Sequence, residues 1–444
     1  MEFGIGFEDE SPAKLTLDKL TILITNNTLA GRAGSELYVR DLATGLLERG
    51  HKPIAFSTIL GDVAAELRSA TIPVIDNLDS LAGAPDIIHG QHHLETMMAL
   101  LRFPDTPAIY FCHGWLPWEE TPPRFQRILK YVAVDDTCRD RLVFENAIPE
   151  SKLRVLLNFV DLERFRPRGP LPAQPKRALV FSNYADEHTH LSAVREACER
   201  CGVPVDVIGR DSGKPCSEPE KRLGEYDIVF AKARSALEAM AVGSAVILCD
   251  ASGVGGMVTA GELARLRRLN FGIRALRQPV SAVAIAREIA RYDPRDAALV
   301  SARIRAVAGR EAAIDEILGL YQEAISEFER TERDPSNEQR AASDYLRWLS
   351  PALKDQGGIR EERDRILVEL DRLKSRSDEL EQKARESRLA QQAAENEQKA
   401  AEARLTHITR TLGWRLLSRY GQIKHRLLIP VYRQLRKPRS GDKI

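Results

Sequence analysis

The richest cluster of chemistry-bearing side chains is Lys232-Ala-Arg234-Ser235-Ala-Leu-Glu238, with two cations, a hydroxyl and a carboxylate within seven positions. It follows an apolar run at 228–231 and opens a helical pattern that ends at Gly243. Free amides at a helix N-terminus favour an anion, so Lys232 and Arg234 would neutralise a diphosphate seated there. Glu238 has two uses at this spacing. It could close a capping box with Ser235, or it could accept hydrogen bonds from ribose hydroxyls.

Two glycine-bearing segments suit close approach of a ligand to the backbone. Gly31-Arg-Ala-Gly34-Ser35-Glu36 follows the first apolar run and begins a helix, which suits either an anion seat or a purely structural turn. Asp250-Ala-Ser-Gly253-Val-Gly255-Gly256-Met-Val258 reads as a second glycine-rich loop at a strand end. His113, in Phe111-Cys-His-Gly-Trp115, follows a strand whose carboxyl end should border a ligand. His89, His92 and His93 cluster near the preceding strand without an acidic or cysteine partner at metal-ligand spacing, so no metal is expected.

Alternating strands and helices must position these groups. Strands are expected at 20–25, 52–57, 73–75, 86–89, 108–112, 131–134 and 153–157, with helices between, the first ending at Gly50. Gly169-Pro-Leu-Pro-Ala-Gln-Pro175 reads as a linker. A second series has strands at 177–181, 205–208, 228–231 and 245–249, helices at 191–201 and 235–242, and helical pattern from 282 to 328. The expected class is α/β, with two Rossmann-like domains at 20–170 and 171–350 and an N-terminal extension at 1–19.

Beyond residue 350 the composition changes. Ile359, Ile366, Leu373 and Leu380 recur every seven residues beside Leu370, which predicts a coiled coil at 351–410, or else a single solvated helix. This appendage is expected to form a homodimer or to dock a partner enzyme. The tail, 411–444, carries nine Lys or Arg against one Asp, among Trp414, Leu416, Leu417, Tyr420 and Ile423, and Pro430 should break it in two. Such a tail suits an anionic membrane surface or packing against the rest of the chain.

A net charge of +1 excludes a general polyanion binder, so no nucleic acid partner is expected. No run of eighteen apolar residues would span a membrane, and the first nineteen residues lack the pattern of a secretory signal. Six scattered cysteines include one CxxC pair, Cys198 and Cys201, with no second pair at zinc spacing. A cytoplasmic location follows as the expectation, with the tail reaching the inner face of the membrane if it binds lipid.

In order along residues 20–330, several segments resemble the family 4 glycosyltransferases of the two-domain GT-B class. These are Gly34-Ser-Glu36 with its helix to Arg49-Gly-His51, Pro85-Asp-Ile-Ile-His89, Val155-Leu-Leu-Asn158-Phe-Val160-Asp161 with Phe165 and Pro167, and Leu237-Glu238-Ala-Met-Ala-Val-Gly243. The resemblance implies two domains facing a cleft and transfer of a sugar from a nucleotide-sugar donor to a saccharide or lipid-linked acceptor in cell-surface glycan biosynthesis. It also implies retained stereochemistry, no metal, and no cofactor beyond the donor itself, a UDP- or GDP-sugar. By this resemblance His113 contacts the donor sugar, Glu238 binds ribose, and Gly34 and Ser35 lie near the phosphates and acceptor. Two features depart from the family pattern. Phe230 stands where the first acid of an E-x7-E pair is expected, and Phe181-Ser-Asn-Tyr-Ala-Asp-Glu187 lacks the usual Arg and Lys, whose charge Lys232 and Arg234 would supply.

Overall fold

The computed structural model describes residues 19–435 apart from residue 333, so the expected extension at 1–19 and the end of the tail lie almost wholly outside the described residues. The chain divides into a unit ending at Leu346 and another beginning at Arg347.

Within the first unit, the N-terminal lobe holds β1 (Thr21–Thr25), α1 (Gly34–Glu48), β2 (Lys52–Phe56), α2 (Asp62–Ser69), β3 (Val74–Ile75), β4 (Ile87–Gln91), α3 (His93–Arg102), β5 (Ala108–Cys112), β6 (Ile128–Ala133), α4 (Asp136–Asp140) and β7 (Leu153–Val155). The strands form a parallel sheet in the order β3-β2-β1-β4-β5-β6-β7. Helices cover both faces, so strands such as β4 and β5 are buried throughout, and β5 reads as an unbroken apolar run. The order reverses between β1 and β4, which places the switch point of the sheet beside the Gly31–Gly34 turn.

The C-terminal lobe holds β8 (Ala178–Phe181), α5 (Leu191–Arg200), β9 (Val205–Ile208), β10 (Ile228–Ala231), α6 (Ala233–Val242), β11 (Ala245–Asp250), β12 (Gly253–Met257), α7 (Leu263–Arg268), α8 (Ala282–Ile289) and α9 (Pro294–Val307). Its strand order is β12-β11-β10-β8-β9, with β12 alone antiparallel. The expected glycine-rich loop at 250–258 is therefore mostly a strand. A Cβ on Gly255 would stand 2.5 Å from the Ala275 carbonyl oxygen, and Gly256 has φ +88° beside Glu288. These glycines admit neighbouring backbone and side chains.

The chain crosses between lobes twice, and the crossings bond to each other. The Val160 amide donates to Ala308 O (2.8 Å) and the Arg310 amide donates to Val160 O (3.0 Å). After the return crossing, α10 (Arg310–Arg330) packs Ile314, Ile317 and Tyr321 into the first lobe's core. The Gly45 position of α1 accommodates Ile314, whose Cδ1 lies 2.0 Å from where a Cβ would be. The closing helices thus do not all belong to the second domain, as the sequence suggested; α10 completes the first.

The helix α11 (Pro335–Arg410) begins sixteen residues before the coiled-coil boundary expected from the heptads and continues through Pro351. Asp334 starts it, accepting from the Ser336 amide (2.9 Å). The heptad residues Ile359, Ile366, Leu373 and Leu380 are exposed. Then follow α12 (Leu412–Ile423), a π-turn at Lys424–Leu428 and α13 (Ile429–Leu435). Pro430 does not break the tail as expected, because the wider turn before it absorbs the missing N–H donor.

Arg310 locks the double crossing, bonding Asp161 (3.1 Å) and Glu48 (2.6 Å) while almost fully buried. Arg310→Ala leaves Asp161 without its partner and should lower stability by about 2 kcal/mol, because Glu48 is exposed and discounts the larger loss of a fully buried pair. A lowered urea midpoint, partly restored by Arg310→Lys, is the expected result.

Candidate active site

A cavity of about 300 Å³ lies between the two lobes of the first unit. Its walls include Gly31, Arg32, Ala33 and Gly34 from one lobe and Lys232, Ala233, Arg234, Ser235 and Glu238 from the other. Both sets open helices. Ala33 caps α1 and Lys232 caps α6, each in extended conformation and each without a side-chain hydrogen bond to the free amides. Two positive helix ends therefore meet at one hollow, with no side chain capping their first-turn amides and only that of Ala233 taken by another carbonyl. The α6 entry is strained: Ala233 has φ +49° and its amide donates to Phe271 O (3.0 Å).

Helix α6 starts two residues earlier than its sequence pattern suggested. Ser235 is thus inside the helix, and the capping box with Glu238 does not form. Glu238 instead meets Arg234 one turn back, Arg234 Nε donating to Oε1 at 2.8 Å. The helix ends as expected at Gly243, whose φ of +104° lets the Ser244 amide reach back to Ala239 O. Phe230 lies fully buried inside β10, so the position eight residues before Glu238 faces core and not cleft.

Arg234 also reaches across the lobes to Asp41 on α1. Arg40 Nη2 holds the same carboxylate from its own side (2.7 Å). Burial alone would raise the Asp41 carboxyl, but Arg234 and Arg40 outweigh it and hold that group below the usual carboxylate range. For Glu238 burial prevails over Arg234, and its carboxyl is raised, with Asp41 adding to the shift. Burial opposes the charge on Arg234, yet Asp41 and Glu238 stabilise it and raise its pKa.

Other residues close the hollow. Arg32 pairs with Glu66 and donates from Nη2 to Ser217 O of the second lobe (2.8 Å). Burial, then Arg40 and Arg164, lower its pKa, the sign of cations crowded together. Asn183 Nδ2 donates to Arg32 O (3.0 Å). Lys232 pairs with Asp250. At the rim, the Arg210 guanidinium lies over the Tyr184 ring, 5.6 Å from its centroid. The cations Arg32, Arg210, Lys232 and Arg234 outnumber the acids Asp62 and Glu238 on the lining itself, and each is matched by a carboxylate: Glu66, Asp211, Asp250 and, for Arg234, Asp41 with Glu238.

The cavity thus brings together Gly34, Lys232, Arg234, Ser235 and Glu238. Ser35 follows Gly34 in α1 and bonds Glu36 (3.0 Å). Gly255 and Gly256 lie in β12 and do not line the cavity. His113 is not on the lining either. It packs edge-on to Tyr38 with centroids 4.5 Å apart, close enough to Arg234 to feel its charge. Its amide donates to Glu120 (2.9 Å), and its Nε2 is shielded without a partner among the described residues.

The sequence reading missed Arg32, Arg40, Asp41 and Arg210. Asp41 left a signal, standing on the buried stripe of α1 between Tyr38 and Gly45 at helical spacing. A carboxylate there needs cationic partners; Arg40 is its neighbour in sequence, but the second, Arg234, comes from another element that linear sequence does not name.

Two α/β lobes facing a hollow make up the GT-B fold, and a solved glycosyltransferase from Rickettsia africae has the same fold, with 16% identity, a TM-score of 0.52 and coverage of 70% of this chain and 99% of that one. Residues 32–164, within the first lobe, match the model of Glycosyltransferase Family 4. HepE from Anabaena, solved in complex with UDP and glucose, aligns at 14% identity over 68% of this chain and 99% of its own, with a TM-score of 0.49. A search of curated proteins gave no match.

The setting of His113 predicts a pH effect. Burial pushes its pKa down to about 4, whereas an unfolded histidine titrates near 6.5. Between those values the unfolded chain binds the extra proton, so stability falls as pH drops through that window. His113→Gln should remove roughly 1–3 kcal/mol of this loss. Urea midpoints at neutral and acid pH measure it, and an unchanged pH dependence in the variant would refute the assignment.

Proposed function

We propose that the chain transfers a glycosyl group from a nucleotide-sugar donor, a UDP- or GDP-sugar, to a saccharide or lipid-linked acceptor in cell-surface glycan biosynthesis. The observation that carries this reading is the hollow where two helix N-termini and four cationic side chains from both lobes converge. Glycosyl transfer from such a donor develops negative charge on the departing diphosphate. First-turn amides of α1 and α6, with Lys232, Arg32 and Arg234, are arranged to stabilise that charge. Glu238, one turn along α6, is the carboxylate for the ribose role, since it lines the hollow and Arg234 holds it there through Oε1. His113 keeps the donor-sugar role that the family resemblance implies only if the Tyr38 ring packed against it moves aside when the donor binds.

A retaining, metal-independent route is part of the proposal. The buried acids Asp41 and Glu238 are both engaged by Arg234, which supports a front-face displacement assisted by the donor phosphate over a double displacement through either carboxylate as nucleophile. The anomeric configuration of the product, read by NMR, should match that of the donor, and chelators should leave the rate unchanged. Inversion would rule out the front-face route.

One observation favours a second reading, a non-catalytic nucleotide-binding scaffold that docks partners through its long helix. Arg234 is already matched by two carboxylates, and no acid stands at Phe230. Donor turnover separates the two. A nucleotide sugar that raises the melting temperature and is slowly hydrolysed without acceptor supports the enzyme; binding without hydrolysis or transfer supports the scaffold. Lys232→Ala should cut turnover by about 10²-fold, the usual loss when one group aimed at developing charge is removed, and Arg234→Ala should weaken donor binding as well. Unchanged affinity and turnover in both variants would remove the proposed seat.

A further inference from the structure

In the second unit, charge is sharply segregated. Residues 351–402 hold thirteen acids and eleven Lys or Arg. Residues 403–441 hold no acid and ten Lys or Arg. Within that acid-free stretch, Thr411 caps α12, its Oγ1 accepting from the Trp414 amide (3.3 Å).

The face of α12 is two-sided. Leu412, Leu416, Tyr420 and Ile423 follow each other by four, four and three residues and so share one side, with Leu417 beside them. Arg415, Ser418 and Gln422 occupy the other side, and Arg419 stands at the boundary. The large apolar residues of α12, Trp414 included, are 45 to 79% exposed. Leu427, Leu428, Val431 and Tyr432 extend this exposed apolar series beyond the π-turn.

We propose that α12 docks the protein onto an anionic lipid bilayer, with Leu416, Leu417, Tyr420 and Ile423 entering the headgroup–acyl boundary and Arg415 and Arg419 meeting lipid phosphates. Charge selects this occupant. A second copy of the same segment would bring ten cations against ten, whereas an anionic leaflet supplies the missing negative partner. The apolar face selects a bilayer over a dissolved polyanion, which offers nothing to receive leucines. Arginine stems lie along the apolar edge while their heads reach the phosphates. No described helix is long and apolar enough to cross a membrane, so α12 lies in the interface plane. This proposal is independent of the transferase reading.

Flotation of the full chain on density gradients tests it, with phosphatidylcholine vesicles and with vesicles in which about one lipid in three is phosphatidylglycerol. The chain should float with the anionic vesicles only, and less as salt is raised. Leu416→Glu with Tyr420→Glu, and separately Arg415→Glu with Arg419→Glu, should each reduce the bound fraction roughly tenfold or more. Gln422→Ala should float like the parent, and all variants should keep the parental melting temperature, because the changed side chains are exposed. The proposal fails if the parent stays unbound to anionic vesicles at low salt. It also fails if the Leu416/Tyr420 variant floats like the parent, which would leave charge alone as the cause, or if that variant instead splits an oligomer in light scattering.

Discussion

A guanidinium taken out of water between two protein layers is tolerated only where carboxylates meet it with good geometry. Arg234 satisfies that condition by drawing one partner from each lobe: Glu238 from its own helix and Asp41 from α1 opposite. Arg40 completes a buried alternation of two cations and two anions. Removing any member strands a charge, and stranded buried charges cost far more than the pair contributes. The relative placement of α1 and α6 is therefore tied to four side chains, and with it the alignment of two helix N-termini on one hollow.

That alignment gives the site its electrostatic character. Since Arg234 is already matched, much of the attraction for an incoming diphosphate must come from other sources. The first-turn amides of α1 and α6, apart from that of Ala233, supply fixed partial charges that need no reorganisation, and Arg32, paired with Glu66, stands beside them on the lining. The strained φ of Ala233 fits this account, because the turn that sets the first amides of α6 toward the hollow takes the chain through a left-handed conformation.

Much of the fold was legible because parallel strands covered on both faces leave unbroken apolar runs. β4, β5, β8, β10 and β11 each stand near the expected residues. The segment at 253–257 misled because its glycines suggest a ligand loop, while in three dimensions they make room for Ala275, Gln278 and Glu288 beside an edge strand. Residues 310–330 were read as helical, but nothing local reveals that Ile314 and Tyr321 belong to the core of a lobe more than two hundred residues upstream. Long-range partnership is not written into local spacing.

The same distinction explains the site. Lys232, Arg234 and Glu238 were visible as a cluster because they lie within two helical turns, and their place after a strand pointed to the cleft. Their roles inside the cluster stayed open where the sequence offered a complete local solution beside the ligand reading. A Ser followed three residues later by Glu satisfies a capping box on paper, and only a helix start at Ala233 excludes it. Asp41 shows the converse case. A carboxylate on the apolar stripe of α1 breaks the pattern of its own helix, and that breach has physical content: either the group is lost to an unpaired burial, or a cation arrives from elsewhere. Arg234 arrives from the opposite lobe. A polar residue that violates its local pattern is thus the sequence's best indication of an interlobe contact, even though it cannot name the partner.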